Sequence, residues 1–309
     1  MIDFSTSNRF VDMSPILIGA SNTKKYKCVD SSGQSFFLKA EEVKNPQSFQ
    51  LFCDMINGLP PFIAPQLIEH GFCNEGAYVL HEWIDGDILQ NTFANMGKNV
   101  QYKFGLLAAD ILKKIHRCKP IIGKDAHKDS WGDRYSNIAI RTAYDFISSP
   151  NRFYGDNKYL IWLKNSKKLF KERNVSDVFC HFDFSPRNIM VNNDGELRVV
   201  DFGSLDKSRR QGGDPYIDFK CIRHGVEHPH FYSGFINGYF GTSPPPIFWR
   251  FISLYISLII FKALNTSVKS KKWSSVKLRV DRAKRYLMTI PEDNSFIPTW
   301  YIPPLSQEL

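Results

Sequence analysis

Three side chains able to handle protons and metal ions fall in one short stretch, "CHFDFSPRNIMVNNDGELRVVDFGS", Cys180 to Ser204. Asp183 lies two residues after His181, Asn188 five after Asp183, and Asp201 thirteen after Asn188. A carboxylate can take a proton from a hydroxyl, and a second carboxylate with an amide oxygen suits a hard divalent cation. Those are the parts that phosphoryl transfer needs: a base for the attacking hydroxyl and oxygen ligands for Mg2+ on nucleotide phosphates. Asp and Asn are also ordinary turn formers, and "NNDG" needs no further explanation. Asp201 does, because it follows the apolar run "LRVV" where a strand should end. The Asp-Gly turn between "IMV" and "LRVV" predicts a β-hairpin. Its closure would bring Asp201 back beside Asn188.

The elements that must position this hairpin divide by type. "KYKCVD" (Lys25–Asp30) and "SFFLKA" (Ser35–Ala40) flank the turn "SSG" and predict a hairpin. "PQSFQLFCDMING" predicts a helix closed by Gly58, and "GAYVLHEWI" (Gly76–Ile84) a further strand, broken by "DGD" at 85–87. Beyond that point the pattern turns helical. Phe104, Leu107, Ala108, Ile111, Ile115 and Cys118 mark one face of a helix, and helical blocks follow near 136–147 and 158–173. The last third is mostly helix and ends in a Pro-rich tail. The expected architecture is α+β: a small β-rich N-lobe over 1–84 that binds nucleotide, and a larger, mainly helical C-lobe over 85–309 carrying catalytic and substrate-binding groups.

The spacing His-x-Asp-x-x-x-x-Asn followed by Asp-Phe-Gly resembles the catalytic and metal-binding loops of the protein-kinase-like superfamily. It is most similar to the branch of aminoglycoside phosphotransferases and choline kinases. "IGASNTKKYKCVD" resembles that branch's single-glycine nucleotide loop, "FFLKA" its strand lysine, "VLHEWIDGDIL" its hinge, "LAADILKKIHRC" its Leu-x-x-Leu-His helix, and "GGDPYIDFK" its Asp-Pro-x-x-Asp. The likeness runs in order over about residues 15 to 240. It implies a bilobal protein-kinase-like fold and a Mg2+-dependent kinase using ATP, with GTP as the alternative. In that reading Asp183 is the catalytic base, and Asn188 and Asp201 hold the metal. Lys39 and the loop with Gly19, Ser21 and Asn22 contact the phosphates, while Glu82 and Ile84 form the hinge at the base. His181 would pack beneath the metal loop, Asp218 would hydrogen-bond backbone near the catalytic loop, and Asp214 would shape the substrate side.

Two positions depart from the branch. Phe182 stands where it usually has Gly. The helix glutamate that pairs with the strand lysine has no obvious counterpart: Gln50 and Asp54 lie near the place, and Glu41 and Glu42 are very close to Lys39 in sequence. The absence of G-x-x-x-x-G-K-S/T excludes a P-loop protein.

The acceptor class follows from length. Only ten residues separate Gly203 from Asp214, and no Ala-Pro-Glu follows. A peptide platform needs a longer segment, so a hydroxyl-bearing small molecule is expected, such as an aminoglycoside-type antibiotic. The alternatives are a choline, sugar or amino-alcohol kinase, or an atypical protein kinase. Trp249, Tyr255, Trp273 and Trp300 are candidates for an aromatic cage around a cationic acceptor, though such residues more often form core.

Composition bounds the rest. The 309 residues are 43% hydrophobic and 23% charged, the balance of a globular chain. The six cysteines form no CxxC pair, which suits a reducing cytoplasm without zinc or disulfides. The start lacks a signal-peptide pattern, and "FISLYISLIIF", Phe251 to Phe261, is too short to cross a bilayer and is expected to be a core helix. The net charge of +9 is read as a solvated face with a few phosphate-facing cations, without a nucleic-acid or membrane partner. Oligomeric state is not legible in the sequence.

Overall fold

The computed structural model describes residues 7–17, 23–119, 130–172, 177–205, 212–293 and 295–304. In chain order the elements begin with β1 (Phe10–Pro15), β2 (Lys24–Asp30), β3 (Ser35–Glu41), α1 (Pro46–Asn57), β4 (Leu67–Cys73), β5 (Gly76–Glu82), β6 (Gly86–Ile88), α2 (Leu89–Thr92) and α3 (Lys98–Arg117). They continue with α4 (Trp131–Ile147), α5 (Asp156–Lys164), α6 (Ser166–Lys171), β7 (Val178–Phe179), β8 (Ile189–Asn192), β9 (Leu197–Val199) and β10 (Gly212–Gly213). A 3-10 helix (Pro215–His224) leads into α7 (Pro229–Phe240), α8 (Pro246–Lys269) and α9 (Trp273–Met288). The expected block at 158–173 is two helices, because the chain turns at Asn165.

Two compact units form. The first joins Met1–Ala94, Arg117–Ala126 and Phe184–Gln211; the second joins Asn95–His116, His127–Asp183 and Gly212–Leu309.

In the first unit an antiparallel sheet runs β1-β2-β3-β5-β4. Strand alternation explains its core. Phe36, Leu38 and Ala40 of β3 point to one side and pack with Cys28, Tyr78 and Leu80. Phe37, Lys39 and Glu41 therefore face the other side. Asn45 starts α1 by accepting from the N–H groups of Gln47 and Ser48, with Pro46 preset for the first turn. The β8–β9 hairpin joins this unit although it lies more than a hundred residues later. Gly86, Asp87 and Ile88 of β6 pair with Asn192, Val191 and Met190, and the Val199 N–H donates to the Ile63 carbonyl at 2.7 Å.

In the second unit α8 is the central helix. By length and composition it could span a bilayer, but 72% of its most apolar stretch is buried inside the protein. It is the core helix expected at Phe251–Phe261, extended at both ends. Its Tyr255 hydroxyl accepts from the Trp131 indole of α4 and donates to buried Asp214. α3 and α7 cross almost backbone to backbone. A Cβ on Gly105 would lie 2.2 Å from the Phe231 carbonyl oxygen, and one on Gly234 2.2 Å from that of Tyr102. This close approach requires glycine and brings His116 of α3 to Tyr239 of α7.

Candidate active site

The hairpin closes as its spacing implied. The Val200 N–H donates to the Asn188 carbonyl at 2.9 Å, so Asn188 and Asp201 flank one hydrogen bond at the hairpin's open end. The opposite end is the Asn192-Asp194-Gly195 turn, where Asn192 Oδ1 accepts from the N–H groups of Asp194 and Glu196. Asp201 sits at φ 62, a left-handed conformation that Asp tolerates better than most residues. Its carboxylate is 51% exposed.

Lys39 is placed by β3. Its ammonium is nearly buried, donates to the Gly203 carbonyl at 2.5 Å and lies 3.8 Å from Asp201 Oδ1. Burial lowers its pKa, while the charges of Asp201 and Glu41 pull in the opposite direction. Glu41, two residues along the same strand face, accepts from the Ser204 hydroxyl and, at 3.2 Å, from the Leu205 N–H. β3 thus grips the segment after Asp201 with a cation and an anion. Sequence alone gives Glu41 no role, because the expected partner of the strand lysine is a helix glutamate. The signal it left was the spacing of Lys39 and Glu41, which a strand turns to one face. Gln50 and Asp54 instead bond each other on the exposed side of α1.

The hinge residues divide. Glu82 spends its N–H on the Gln66 carbonyl and its side chain on the Gln66 N–H. Ile84 makes no hydrogen bond among the described residues. Gly19, Ser21 and Asn22 lie outside the described residues.

In the second unit the loop carrying Asp183 is held from below. Asp218, fully buried on the 3-10 helix, accepts from the N–H groups of His181 at 2.8 Å and Phe182 at 2.6 Å. His116 Nε2 lies 3.2 Å from the same carboxylate, and its Nδ1 2.8 Å from the Tyr239 hydroxyl. Burial acts to raise the Asp218 pKa, but the His116 hydrogen bond and the neighbouring positive groups prevail and hold it below the usual carboxylate value. His181 is buried and accepts the Asp183 N–H at Nδ1. The Asp183 side chain is exposed.

Phe182 adopts φ 65, a conformation costly for a bulky residue and free for glycine. The loop therefore keeps a glycine-like backbone despite the side chain. Three contacts hold it there. Asp218 takes the Phe182 N–H, the Lys220 ammonium donates to its carbonyl, and its ring stacks 5.9 Å from Trp131. Burial lowers the Lys220 pKa against the charges of Asp218 and Asp183. No motif pointed to Lys220. Its place two residues after Asp218 was the available sign.

Asp214 corrects an expectation. It is fully buried, caps the 3-10 helix through the Tyr216 N–H and accepts from Tyr255, so it does not face a substrate. Tyr255, Trp249 and Trp300 are likewise buried, and none of them is free to line a cage. His116, Cys180 and Asp218 have metal-ligand types within 4.8 Å of one another. Asp218 is already committed to three donors, and burial drives the Cys180 thiol further from its thiolate form. The exposed Asp201 carboxylate and the Asn188 amide offer oxygen donors only, the set that suits Mg2+.

Residues 12–246 match the family model APH, described as the phosphotransferase enzyme family. Several solved structures share the fold. A point mutant of aminoglycoside 2'-phosphotransferase-IIIa in its GDP complex is similar at TM-score 0.66 and 13% identity, over 93% of this chain and 95% of that one. Aminoglycoside phosphotransferase APH(4)-Ia, as a thermostable mutant in apo form, gives 0.63 and 13% over 92% and 96%. The gentamicin–APH(2")-IIa complex gives 0.61 and 14% over 96% and 100%. No curated protein sequence matches. The protein-kinase-like α+β fold expected from the sequence is the fold these structures share with this one. With three quarters of the chain under one family model and the paired loops in place, the chain belongs to the phosphotransferase enzyme family.

Proposed function

We propose that this phosphotransferase moves the γ-phosphoryl group of ATP, or of GTP, to a hydroxyl of a small molecule. The observation that supports the reading is the backbone closure of the hairpin between Val200 and Asn188, which puts Asn188 across from the residue before Asp201, with the Lys39 ammonium 3.8 Å from the Asp201 carboxylate. Asp183 orients the acceptor hydroxyl and takes its proton as the bond to phosphorus forms. Lys39 gives a point charge to the nucleotide phosphates, exchanging its bond to the Gly203 carbonyl for one to phosphate. Asp201 and the Asn188 amide oxygen would hold Mg2+, which supplies neutralisation of charge on the transferred group. Asp218 and Lys220 keep the Asp183 loop in one conformation, so orientation is set before substrate arrives.

The similar structures favour a polyhydroxylated acceptor, since solved complexes among them hold kanamycin, hygromycin B and gentamicin, and nucleotides including GDP and ADP. The short segment between Gly203 and Asp214 supports a small acceptor over a protein. The test is nucleoside-diphosphate release with ATP or GTP across aminoglycosides, amino-alcohols and sugars, in wild type and Asp183→Ala. Turnover should appear with one acceptor class and fall by roughly 10²–10⁴ in the variant. Near-normal turnover in Asp183→Ala would remove Asp183 from the role, and phosphate appearing only on protein would overturn the acceptor class.

A further inference from the structure

The positive charge of this chain is concentrated in one place. Between Lys269 and Arg285 there are eight Lys or Arg residues and one acid, Asp281, a net +7 out of the chain's +9. From the sequence the cations read as thinly spread over a solvated face, with one run at "VKSKKW" and another at "DKSRR". The fold gathers them at the C-terminal end of α8, the turn after it and the outer side of α9. The other basic run, "DKSRR", lies outside the described residues.

Helical periodicity separates two faces of α9. Val276, Ala283 and Tyr286 form the stripe buried in the second unit. The opposite face presents Lys277, Arg282 and Arg285, with Lys271 and Lys272 in the turn just before. Among the described residues, Arg285 alone of these cations has an ion-pair partner, Glu227 at 3.8 Å. The rest have no ion-pair partner among the described residues.

Apolar groups stand among them. Trp273 is 58% exposed, Leu278 47% and Met288 80%, an unusual set to leave in water on one 16-residue helix. Cations alone would suit any polyanion. Cations interleaved with an indole and two long aliphatic side chains suit an interface with anionic headgroups and acyl chains beneath them. Against nucleic acid the phosphates would be met, but Leu278 and Met288 would gain little, since bases ask for flat stacking partners.

We propose that the outer face of α9 and the turn before it dock on an anionic lipid bilayer, with Lys and Arg at the headgroups and Trp273, Leu278 and Met288 entering the interface. None of these residues belongs to the nucleotide or base loops, and the proposal stands whatever acceptor the enzyme uses.

The test is co-sedimentation of the full chain with phosphatidylcholine vesicles, with and without phosphatidylserine. The protein should partition only onto phosphatidylserine vesicles, and added salt should release it. Replacing Lys271 and Lys272 by Gln should weaken partitioning about thirtyfold, at about 1 kcal/mol for each cation near the surface. Trp273→Ser should weaken it about tenfold by removing the inserted ring. These exposed substitutions should leave the thermal midpoint and phosphoryl transfer in solution unchanged. Equal partitioning onto neutral and anionic vesicles, or none onto either, overturns the proposal. So does retention of a single-stranded oligonucleotide that the Lys271/Lys272 variant loses while vesicles are not bound.

Discussion

Each of the two loops to which the proposed function assigns the chemistry is clamped by an acid and a lysine two residues apart. On β3, Glu41 accepts from Ser204 and Leu205 while Lys39 donates to the Gly203 carbonyl. On the 3-10 helix, Asp218 accepts from His181 and Phe182 while Lys220 donates to the Phe182 carbonyl. The two clamps are alike in pairing an accepting acid with a donating lysine, but Glu41 takes a side-chain hydroxyl where Asp218 takes a second backbone N–H, and the surroundings differ. Asp218 is fully buried and has His116 as a third partner; Glu41 is partly exposed and has none of that support. A charged hydrogen bond out of reach of water cannot be exchanged for a solvated one, so breaking it leaves a bare buried group. The Asp218 clamp is therefore permanent. Under the proposed function the β3 clamp releases Lys39 to a phosphate and re-forms. That difference suits the proposed function, in which one loop holds a base still and the other lets a nucleotide in and out.

The sharpest way to break this contrast is Asp218→Asn. The amide keeps one acceptor and turns an N–H2 toward donors it cannot satisfy. A loss of about 3–5 kcal/mol is expected, the scale of breaking a buried charged pair, measured by denaturant unfolding. The pH dependence carries a second sign. The folded-state pKa of Asp218 lies below its ordinary value, so its stabilisation is present above the ordinary carboxylate pKa and is lost as pH falls through the folded value. The variant should show a flatter acid limb. Wild-type stability in the variant would mean that the lower clamp is no more permanent than the upper one.

The lysines should then separate by what they touch. Lys39→Met removes a cation that the proposed function assigns to the phosphates, and kcat/KM for nucleotide should fall about 10²-fold or more in steady-state assays. Lys220→Met leaves the phosphates alone and frees the Phe182 carbonyl. kcat should fall about tenfold with nucleotide KM within about twofold, the split expected of a residue that positions the base. A rise in nucleotide KM with unchanged kcat in Lys220→Met would place that lysine on the nucleotide side and dissolve the comparison.

Much of the upper site was legible because it is local. "NNDG" between alternating runs encodes a hairpin, and a hairpin by itself brings Asn188 beside Asp201. Lys39 could be placed for the same reason, as a residue of a recognisable strand. The lower clamp was less legible, because Asp218 meets the 181–182 loop only through the packing of α3, α7 and the 3-10 helix. Nothing in the letters "DFK" shows that Lys220 reaches Phe182. Phe182 itself looked like a departure in packing, yet the structure absorbs it by supporting a positive φ. Strands β1 and β4 were missed because they lie at the two edges of the sheet and bury no residue fully, which leaves little apolar alternation in their sequences. Asp214 was assigned outward from its motif, whereas only the tertiary contact with Tyr255 reveals that it points inward.

The smallest effect is the most discriminating for the upper clamp. Glu41→Gln keeps the size of the side chain and one acceptor oxygen. It weakens the bonds to Ser204 and Leu205 by removing the charge, and it removes one anion near the buried Lys39 ammonium. Because Glu41 is partly solvated, the cost to global stability should be about 1 kcal/mol or less. Local opening should respond more than global unfolding does. The Leu205 amide is held by Glu41 alone in the upper clamp, so its hydrogen exchange should quicken in the variant, while the Phe182 amide, held by Asp218, should not change. Saturating nucleotide should slow Leu205 exchange again if the segment closes around the bound phosphates. If the Leu205 and Phe182 amides quicken together, the two loops open as one cooperative piece, and the distinction between a releasing clamp and a permanent one fails.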